Sequence, residues 1–185
     1  MESRALVLGR EPHTGTAKHP GGQAGVIRAC RTYPIVVLAC GRSYGKTSGC
    51  ILVFIYEGAD PAFEGQHYVF AYCSPMRSGP GGAEEVFRQW CQVLGPMMAG
   101  NPDRVNLRID VRPFGKNAGA TIWFIGMDDP ERKRGLRAHR VVMDEVKDLT
   151  PEAVWGVAWH YLIGREGGGM LLQGTPSRRG TGSTM

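Results

Sequence analysis

Residues 40–47 have the residue types and spacing needed to hold a chain of phosphates. They read CGRSYGKT and lie between an apolar run that predicts a strand and a segment that predicts a helix. Phosphate binding uses backbone N–H groups at a helix N-terminus, a lysine that reaches the β- and γ-phosphates, and a hydroxyl that binds Mg²⁺. Here Gly45 permits the tight turn, Lys46 supplies the cation and Thr47 supplies the hydroxyl. The segment therefore predicts a phosphate-binding loop.

The match to the Walker A pattern of such loops is imperfect at its first position. The pattern G-x-x-x-x-G-K-[ST] requires glycine where this chain has Cys40, and Gly41 follows one residue later. Arg42 precedes Lys46 by four residues, where a guanidinium could reach charge that develops on a transferring phosphoryl group. The alternative interpretation is a chance Gly-Lys-Thr on a solvated turn. The flanking strand and helix favour the phosphate loop.

A second signal is the apolar run at residues 140–146, RVVMDEV, which ends in two carboxylates. Ligands of open α/β sheets bind at the carboxyl ends of the strands. In a phosphate-loop enzyme Asp144 would hold Mg²⁺ through water, as a Walker B carboxylate, and Glu145 would orient and deprotonate the attacking water. An apolar run followed by Asp-Glu is common by chance. Its combination with the lysine loop upstream supports the functional interpretation.

Two further segments are weaker signals. Residues 171–176, LLQGTP, predict a strand followed by a polar turn, where Thr175 could sense the γ-phosphate, although Gly-Thr-Pro is also ordinary turn chemistry. The basic residues between 132 and 137 are expected on a solvated loop or against the phosphates of a polyanion.

Composition limits the class of protein. The chain has 185 residues, 42% apolar and 21% charged, which predicts one globular domain with a real core. The 27 glycines and 12 prolines make it loop-rich but not of low complexity. The net charge of +5 fits a nucleic-acid partner without requiring one. No apolar run approaches the ~18 residues of a membrane span, and no secretory signal is recognisable, so we expect a soluble, intracellular protein.

The five cysteines contain no C-x-x-C pair, which favours reduced core thiols over disulfides or zinc. The five histidines show no metal-binding spacing. Strands alternate with helices along the chain, which predicts the α/β class with a mainly parallel sheet. Residues 35–39 are expected to be a strand buried on both faces, and residues 46–56 an amphipathic helix. The remaining predicted strands are 67–73, 140–143, 170–173 and a hairpin of 105–111 with 120–126, and the remaining helices are 83–98 and one that starts at Thr150.

The order of motifs resembles the ATPase domain of the large terminase subunit, the DNA-packaging motor of tailed bacteriophages. The motifs are HPGGQ, VVLACGRSYGKT, AYCSP, RGLRAHRVVMDEVKD and LLQGTPSRRG, and they cover residues 19–180. The resemblance implies a P-loop NTPase fold of the ASCE or RecA-like type, with a mainly parallel sheet flanked by helices and incomplete at its C-terminus. One departure is the extra glycine in HPGGQ, because the family's adenine motif is usually close to HPGQ.

The resemblance also implies roles for individual residues. Gln23 resembles the adenine-contacting glutamine, and Arg42 resembles a loop arginine that acts in cis during hydrolysis. Asp144 and Glu145 match the metal carboxylate and the catalytic carboxylate. Gly174, Thr175 and Pro176 resemble the motif that couples hydrolysis to DNA movement, and Thr47 and Asp144 are the implied metal ligands. The implied nucleotide-binding set is Gln23, Gly41, Arg42, Ser43, Tyr44, Gly45, Lys46, Thr47, Ser48 and Thr175.

The implied activity is ATP hydrolysis with Mg²⁺ that drives double-stranded DNA into a procapsid. The implied partners are that DNA, the portal protein, the small terminase subunit and other copies in a ring, in the cytoplasm of the infected host and away from membranes. We expect a flexible lead-in over residues 1–25, the ATPase domain over 26–176 and a loose tail over 177–185. The chain ends at Met185, shortly after the coupling motif, so a nuclease domain and nuclease activity are expected to be absent.

Two alternatives remain open at this stage. A helicase core also has a glutamine motif, Gly-Lys-Thr, Asp-Glu and a polar coupling motif, but unwinding requires a second motor domain. A domain that binds nucleotide or DNA without turnover is the other. Strand separation by the lone chain would favour the first, and binding of ATP analogues without phosphate release would favour the second.

Overall fold

A six-stranded sheet forms the centre of the protein. The structure is a computed structural model that describes residues 15–16, 19–20, 22–41, 45–129, 133, 135–162 and 168–175. The strands are β1 Gly15–Thr16, β2 His19–Pro20, β3 Ile35–Ala39, β4 Tyr68–Ser74, β5 Arg108–Val111, β6 Ala120–Gly126, β7 Arg140–Met143 and β8 Gly169–Gly174. The α-helices are α1 Gly22–Thr32, α2 Lys46–Gly58 and α3 Ala83–Leu94. Short 3₁₀ segments are Pro61–Phe63, Gly95–Met97, Val146–Asp148 and Ala158–Leu162, and a π-helical segment is Glu152–Val157.

The strands of the central sheet lie in the order β3-β8-β7-β4-β6-β5. All neighbours are parallel except β5, which pairs antiparallel with β6 as the second strand of a hairpin. The parallel order brings the carboxyl ends of β3, β7 and β8 together, with Ala39 opposite Gly174 and Met143 opposite Leu172. The predicted α/β class with a mainly parallel sheet is confirmed. The predicted hairpin is present, but its first strand begins at Arg108 and not at residue 105.

Apolar layers cover both faces of this sheet. On one face α1, α2 and α3 pack over alternate residues of β4, such as Phe70 and Tyr72. On the other face, the π-helical segment and the 3₁₀ turn after it cover Ala71 and Cys73. Trp90 of α3 is fully buried, and Val86, Phe87 and Leu94 are buried on the same helix. Every residue of β4 is buried, as is typical of a central parallel strand.

Strand β3 differs from the expectation of burial on both faces. Its exposure alternates, with Val37 72% exposed and Ile35 40% exposed. The strand lies at the margin of the sheet, and the layer that covers β4, β7 and β8 on that face includes no residue of β3. An apolar sequence identifies a strand but not its place in the sheet, so the predicted burial was wrong.

The helices also differ from prediction in detail. Helix α1 was not predicted, and it begins at Gly22, inside the expected lead-in of residues 1–25, because Gln23 and Ile27 are buried. Helix α2 is less amphipathic than expected: residues 50–55 are all buried, since α1 covers its far side. The α-helical part of the predicted helix 83–98 ends at Leu94, just before a proline-containing 3₁₀ turn. Thr150 accepts a hydrogen bond from the Ala153 N–H at 3.2 Å, the contact expected of a capping threonine just before this segment.

The cysteines are free thiols, four of them buried and Cys91 half-buried. Burial raises the pKa of the Cys30 thiol to about 12, with smaller opposing and reinforcing effects of Arg140 and Glu57. The thiol of Cys30 is therefore protonated at neutral pH. Among the described helices, none has both the length and the apolar character needed to cross a membrane.

A buried ion pair joins β7 to α2 beneath the sheet. The Arg140 guanidinium donates to both carboxylate oxygens of Glu57, at 2.9 and 2.5 Å, and to the carbonyl of Cys30 at 2.6 Å. The Tyr68 hydroxyl donates to the same carboxylate at 2.9 Å. Burial alone would lower the pKa of Arg140, but the Glu57 carboxylate outweighs burial and raises it. A Cβ at Gly169 would overlap the guanidinium, so this position of β8 requires glycine.

We predict that Glu57→Ala lowers the free energy of unfolding by about 3–5 kcal/mol, because Arg140 stays buried without its counter-charge. Urea unfolding at neutral pH measures the loss. The matched control is Glu64→Ala, which removes an exposed carboxylate paired with Lys116 and is expected to cost less than about 1 kcal/mol. Equal losses in the two variants would contradict the conclusion that the buried Arg140–Glu57 pair stabilises the fold.

Candidate active site

Gly45 and Lys46 form the start of helix α2 at the carboxyl end of β3. Gly45 is the N-cap residue and has φ 81°, a left-handed conformation that glycine adopts without strain. A Cβ at this position would lie 3.3 Å from the Gln23 side-chain amide nitrogen, so the turn is also tightly packed. The free N–H groups of the first helical turn are available to an anion. Space around Gly41 is open.

The Lys46 ammonium contacts residues from two other motifs. Its Nζ lies 2.5 Å from Glu145 Oε1 and 3.0 Å from Thr175 Oγ1. The Thr175 N–H donates to Glu145 Oε2 at 3.2 Å, which closes the triangle. The side chains of Lys46 and Glu145 are 12% and 31% exposed, so the triangle opens toward solvent. The structure thus brings the predicted phosphate cation, catalytic carboxylate and γ-phosphate sensor into direct contact.

Glu145 has a strained backbone. Its φ of 44° and ψ of 53° place it in the left-handed region, which costs a residue with a side chain roughly 1–2 kcal/mol. In this conformation its carboxylate meets both Lys46 and Thr175. Burial raises the pKa of this carboxyl, but the hydrogen bonds and charge of Lys46 and the hydrogen bonds of Thr175 outweigh burial and lower it. Such strain is typical of functional sites.

Both carboxylate oxygens of Asp144 accept hydrogen bonds. The Tyr72 hydroxyl donates to Oδ2 at 2.6 Å, and the Gln173 amide donates to Oδ1 at 3.0 Å, together with the N–H of Glu145 at 3.0 Å. The carboxylate of the predicted metal ligand Asp144 is therefore oriented by residues of two neighbouring strands. Thr47 is half-buried in the first turn of helix α2, beside Lys46.

The donor set fits a magnesium ion. Mg²⁺ prefers oxygen ligands and is usually held by one or two protein groups together with water and substrate phosphates. A hydroxyl and a carboxylate beside a helix N-terminus match this chemistry. Among the described residues, no cluster of three or more His, Cys, Asp or Glu side chains could hold a metal by itself.

The Gln23 side chain lies next to Gly45, at the start of helix α2. Its side chain is 3% exposed, and its Oε1 is buried with no hydrogen-bond partner among the described residues. It borders Gly45 and Gly49 of the loop and of α2. The adenine contact implied for Gln23 stays a prediction.

The other expected site residues divide into two groups. Ser48 is half-buried in the first turns of α2, and Gly174 packs against the backbone of Glu145 and Val146. Outside the described residues lie Arg42, Ser43, Tyr44 and Pro176, together with Arg132 and Arg134 of the basic cluster.

Three residues of the site were not predicted: Tyr72, Gln173 and Cys50. The Cys50 thiol donates to Gln173 Oε1 at 3.2 Å, and the Gln173 amide also lies 3.4 Å from the Tyr72 hydroxyl. A signal for the first two was present in the sequence. Each is a side chain with a polar group near the carboxyl end of a predicted strand that consists mostly of apolar residues.

Comparison with known proteins identifies the fold. No family model and no curated protein matches the sequence. The ATPase domain of the large terminase of Thermus phage P74-26 is similar in structure, with a TM-score of 0.67 and 22% identity over 96% of this chain and 70% of that one. The large terminase of a thermophilic bacteriophage, solved in complex with ADP, has a TM-score of 0.63 and 15% identity over 84% of this chain and 38% of that one. The large terminase of bacteriophage HK97 has a TM-score of 0.62 and 12% identity, over 94% and 38%.

These similarities show that the chain has the P-loop NTPase fold of terminase ATPase domains. The chain spans 38% of the length of the ADP-bound terminase and of the HK97 terminase. The expected fold class is confirmed.

We predict that the Glu145 carboxylate stabilises the protein in a pH-dependent way. Because its pKa is lowered from the usual 4.5, the stabilisation is present above about pH 4.5 and is lost as the pH falls through the lowered pKa. The difference in free energy of unfolding between the wild type and Glu145→Gln is therefore expected to shrink below that pH, as measured by urea unfolding across a pH series.

The control for this prediction is the same comparison made in a Lys46→Met background. Without the ammonium, Glu145→Gln is expected to have a weaker pH dependence, and the double-mutant cycle isolates the pair. An unchanged pH profile in that background would show that Lys46 does not cause the shift.

Proposed function

We propose that this chain is the ATPase domain of a viral terminase large subunit, which hydrolyses ATP to move double-stranded DNA into a procapsid. The observation that carries the proposal is the contact of Lys46 with both Glu145 and Thr175. Three motifs that are far apart in the sequence meet there, in the fold of terminase ATPase domains. The similar terminase of the thermophilic bacteriophage has been solved with ADP and with ATP-γ-S, which supports ATP as the nucleotide.

The Lys46–Glu145 pair suggests how nucleotide binding would prepare the site. While Lys46 holds the carboxylate, Glu145 is a weak base, because its pKa is lowered. The β- and γ-phosphates of ATP would compete for the Lys46 ammonium. Glu145 would then be released, with its basicity raised, to orient the attacking water and accept its proton.

The other residues of the site would bind and position the substrate. Thr47 and Asp144 would hold Mg²⁺, which neutralises charge on the phosphate oxygens when it is bound. Thr175 would sense whether a γ-phosphate is bound. Its position directly after β8 suits the proposed coupling to DNA movement. The role of Arg42 in cis and the adenine contact of Gln23 belong to this proposal as predictions.

The partners follow from the proposed function. They are double-stranded DNA, the portal protein, the small terminase subunit and further copies of this chain in a ring, in the host cytoplasm. The net charge of +5 is compatible with contact to DNA phosphates. Binding of nucleotide without turnover is the alternative for the isolated chain, and the same assay separates the two.

We predict Mg²⁺-dependent phosphate release from ATP by the purified chain, measured with and without double-stranded DNA. Lys46→Ala is expected to reduce both nucleotide affinity and turnover to background, because it removes the phosphate cation. Glu145→Gln is expected to keep nucleotide affinity and to lose roughly 10²–10⁴-fold in turnover, the usual contribution of a general base.

The matched control is Lys116→Ala, which removes an exposed lysine that pairs with Glu64 outside the site. It is expected to leave turnover unchanged. Unchanged turnover in Lys46→Ala or Glu145→Gln would overturn the ATPase assignment. Binding without turnover in the wild type would favour the non-hydrolysing alternative.

A further inference from the structure

The Tyr72 hydroxyl lies at the centre of a buried network that joins three elements. It donates to Asp144 Oδ2 at 2.6 Å and accepts from the Gln173 amide at 3.4 Å. Tyr72 is fully buried in β4, Gln173 belongs to β8, and Asp144 directly follows β7.

The ring and the hydroxyl of Tyr72 have separable roles. The ring packs among Trp90 and Phe124, with centroids 5.9 and 6.1 Å away. A phenylalanine would fill the same volume and keep those contacts. The hydroxyl serves the polar network alone, so its removal tests that network with little disturbance of the core.

Orientation of a metal carboxylate depends on its hydrogen-bond partners. Asp144 lies in a loop next to the strained residue Glu145, and its side chain has no ion-pair partner among the described residues. Tyr72 and Gln173 instead hold one oxygen each. Partners of this kind are worth about 10–100-fold in metal affinity where they have been removed from metal sites.

We infer that Tyr72 is a positioning residue of the magnesium site: its hydroxyl holds the Asp144 carboxylate in the orientation that Mg·nucleotide requires. This inference rests on the proposed function, because it assumes that the loop binds a nucleotide with Mg²⁺. The residue acts through its neighbours and does not itself contact the phosphates. Its loss should weaken the Mg²⁺-dependent part of nucleotide binding and leave the Lys46-dependent part in place.

The test compares Tyr72→Phe with Tyr68→Phe. Tyr68 is also fully buried in β4, but its hydroxyl donates to Glu57 in the structural ion pair. Affinity for a fluorescent ADP analogue is measured in EDTA and across a Mg²⁺ titration. Urea unfolding without nucleotide records the stability of each variant.

Tyr72→Phe is expected to bind the analogue in EDTA as the wild type does, and to require about 10–100-fold more Mg²⁺ for the gain in affinity. Tyr68→Phe is expected to lose stability and to keep the wild-type Mg²⁺ requirement. In Mn²⁺ titrations followed by electron paramagnetic resonance, Tyr72→Phe with ADP is expected to show the same weakening, independently of turnover.

Each contrary result has a distinct meaning. A wild-type Mg²⁺ requirement in Tyr72→Phe would overturn the inference and leave the proposed function intact. Equal increases in the Mg²⁺ requirement of Tyr72→Phe and Tyr68→Phe would also overturn it. The effect would then result from a general loss of stability and not from the Tyr72 hydroxyl. Absence of any Mg²⁺-dependent affinity in the wild type would overturn the inference and the proposed function together.

Discussion

The buried pair of Arg140 and Glu57 is the constraint on which the geometry of the site depends. Helix α2 has Lys46 at its start and Glu57 near its end, while β7 has Arg140 at its start and Glu145 just past its end. One ion pair therefore ties these two elements at each end. The inner pair is bidentate, with side chains 4% and 6% exposed, and is held further by Tyr68. Because it fixes the far ends of α2 and β7, the near ends are held at the distance at which Lys46 reaches Glu145.

The two ion pairs differ in burial and therefore in how easily their partners can be exchanged. Exchange of the Arg140–Glu57 pair for other partners would leave charges buried without compensation, which costs several kcal/mol. The Lys46–Glu145 pair makes a single contact near solvent, so a phosphate can replace the carboxylate at little cost. The left-handed backbone of Glu145 adds to this difference, since the residue is already strained in the paired state. The stable pair thus supports a site whose own pair is exchangeable.

Much of the site could be predicted from the sequence, because each motif occupies a few consecutive residues. Gly-Lys-Thr and Asp-Glu each follow an apolar run, and the carboxyl ends of parallel strands meet at one edge. The network around Tyr72 and Gln173 could not be predicted in the same way. It depends on the strand order, which places β7 between β4 and β8, and that order is a property of the whole sheet. The exposure of Val37 has the same origin, since an apolar strand can lie at the centre or at the margin.

The strand β8 contacts both carboxylates of the site. Gln173 donates to Asp144, and Thr175, two residues further on, meets Lys46 and Glu145. Gln173 lies in β8 and Thr175 directly follows its last residue, so one short segment contacts the proposed metal carboxylate and the proposed base together. A displacement of this segment by a γ-phosphate at Thr175 would therefore act on Asp144 as well as on Glu145. Gly174 between them packs against the backbone of Glu145 and Val146, so this segment directly contacts the loop that carries the carboxylates. In the proposed ATPase, this geometry would make the end of β8 the element that links occupancy of the phosphate site to both the metal ligand and the base.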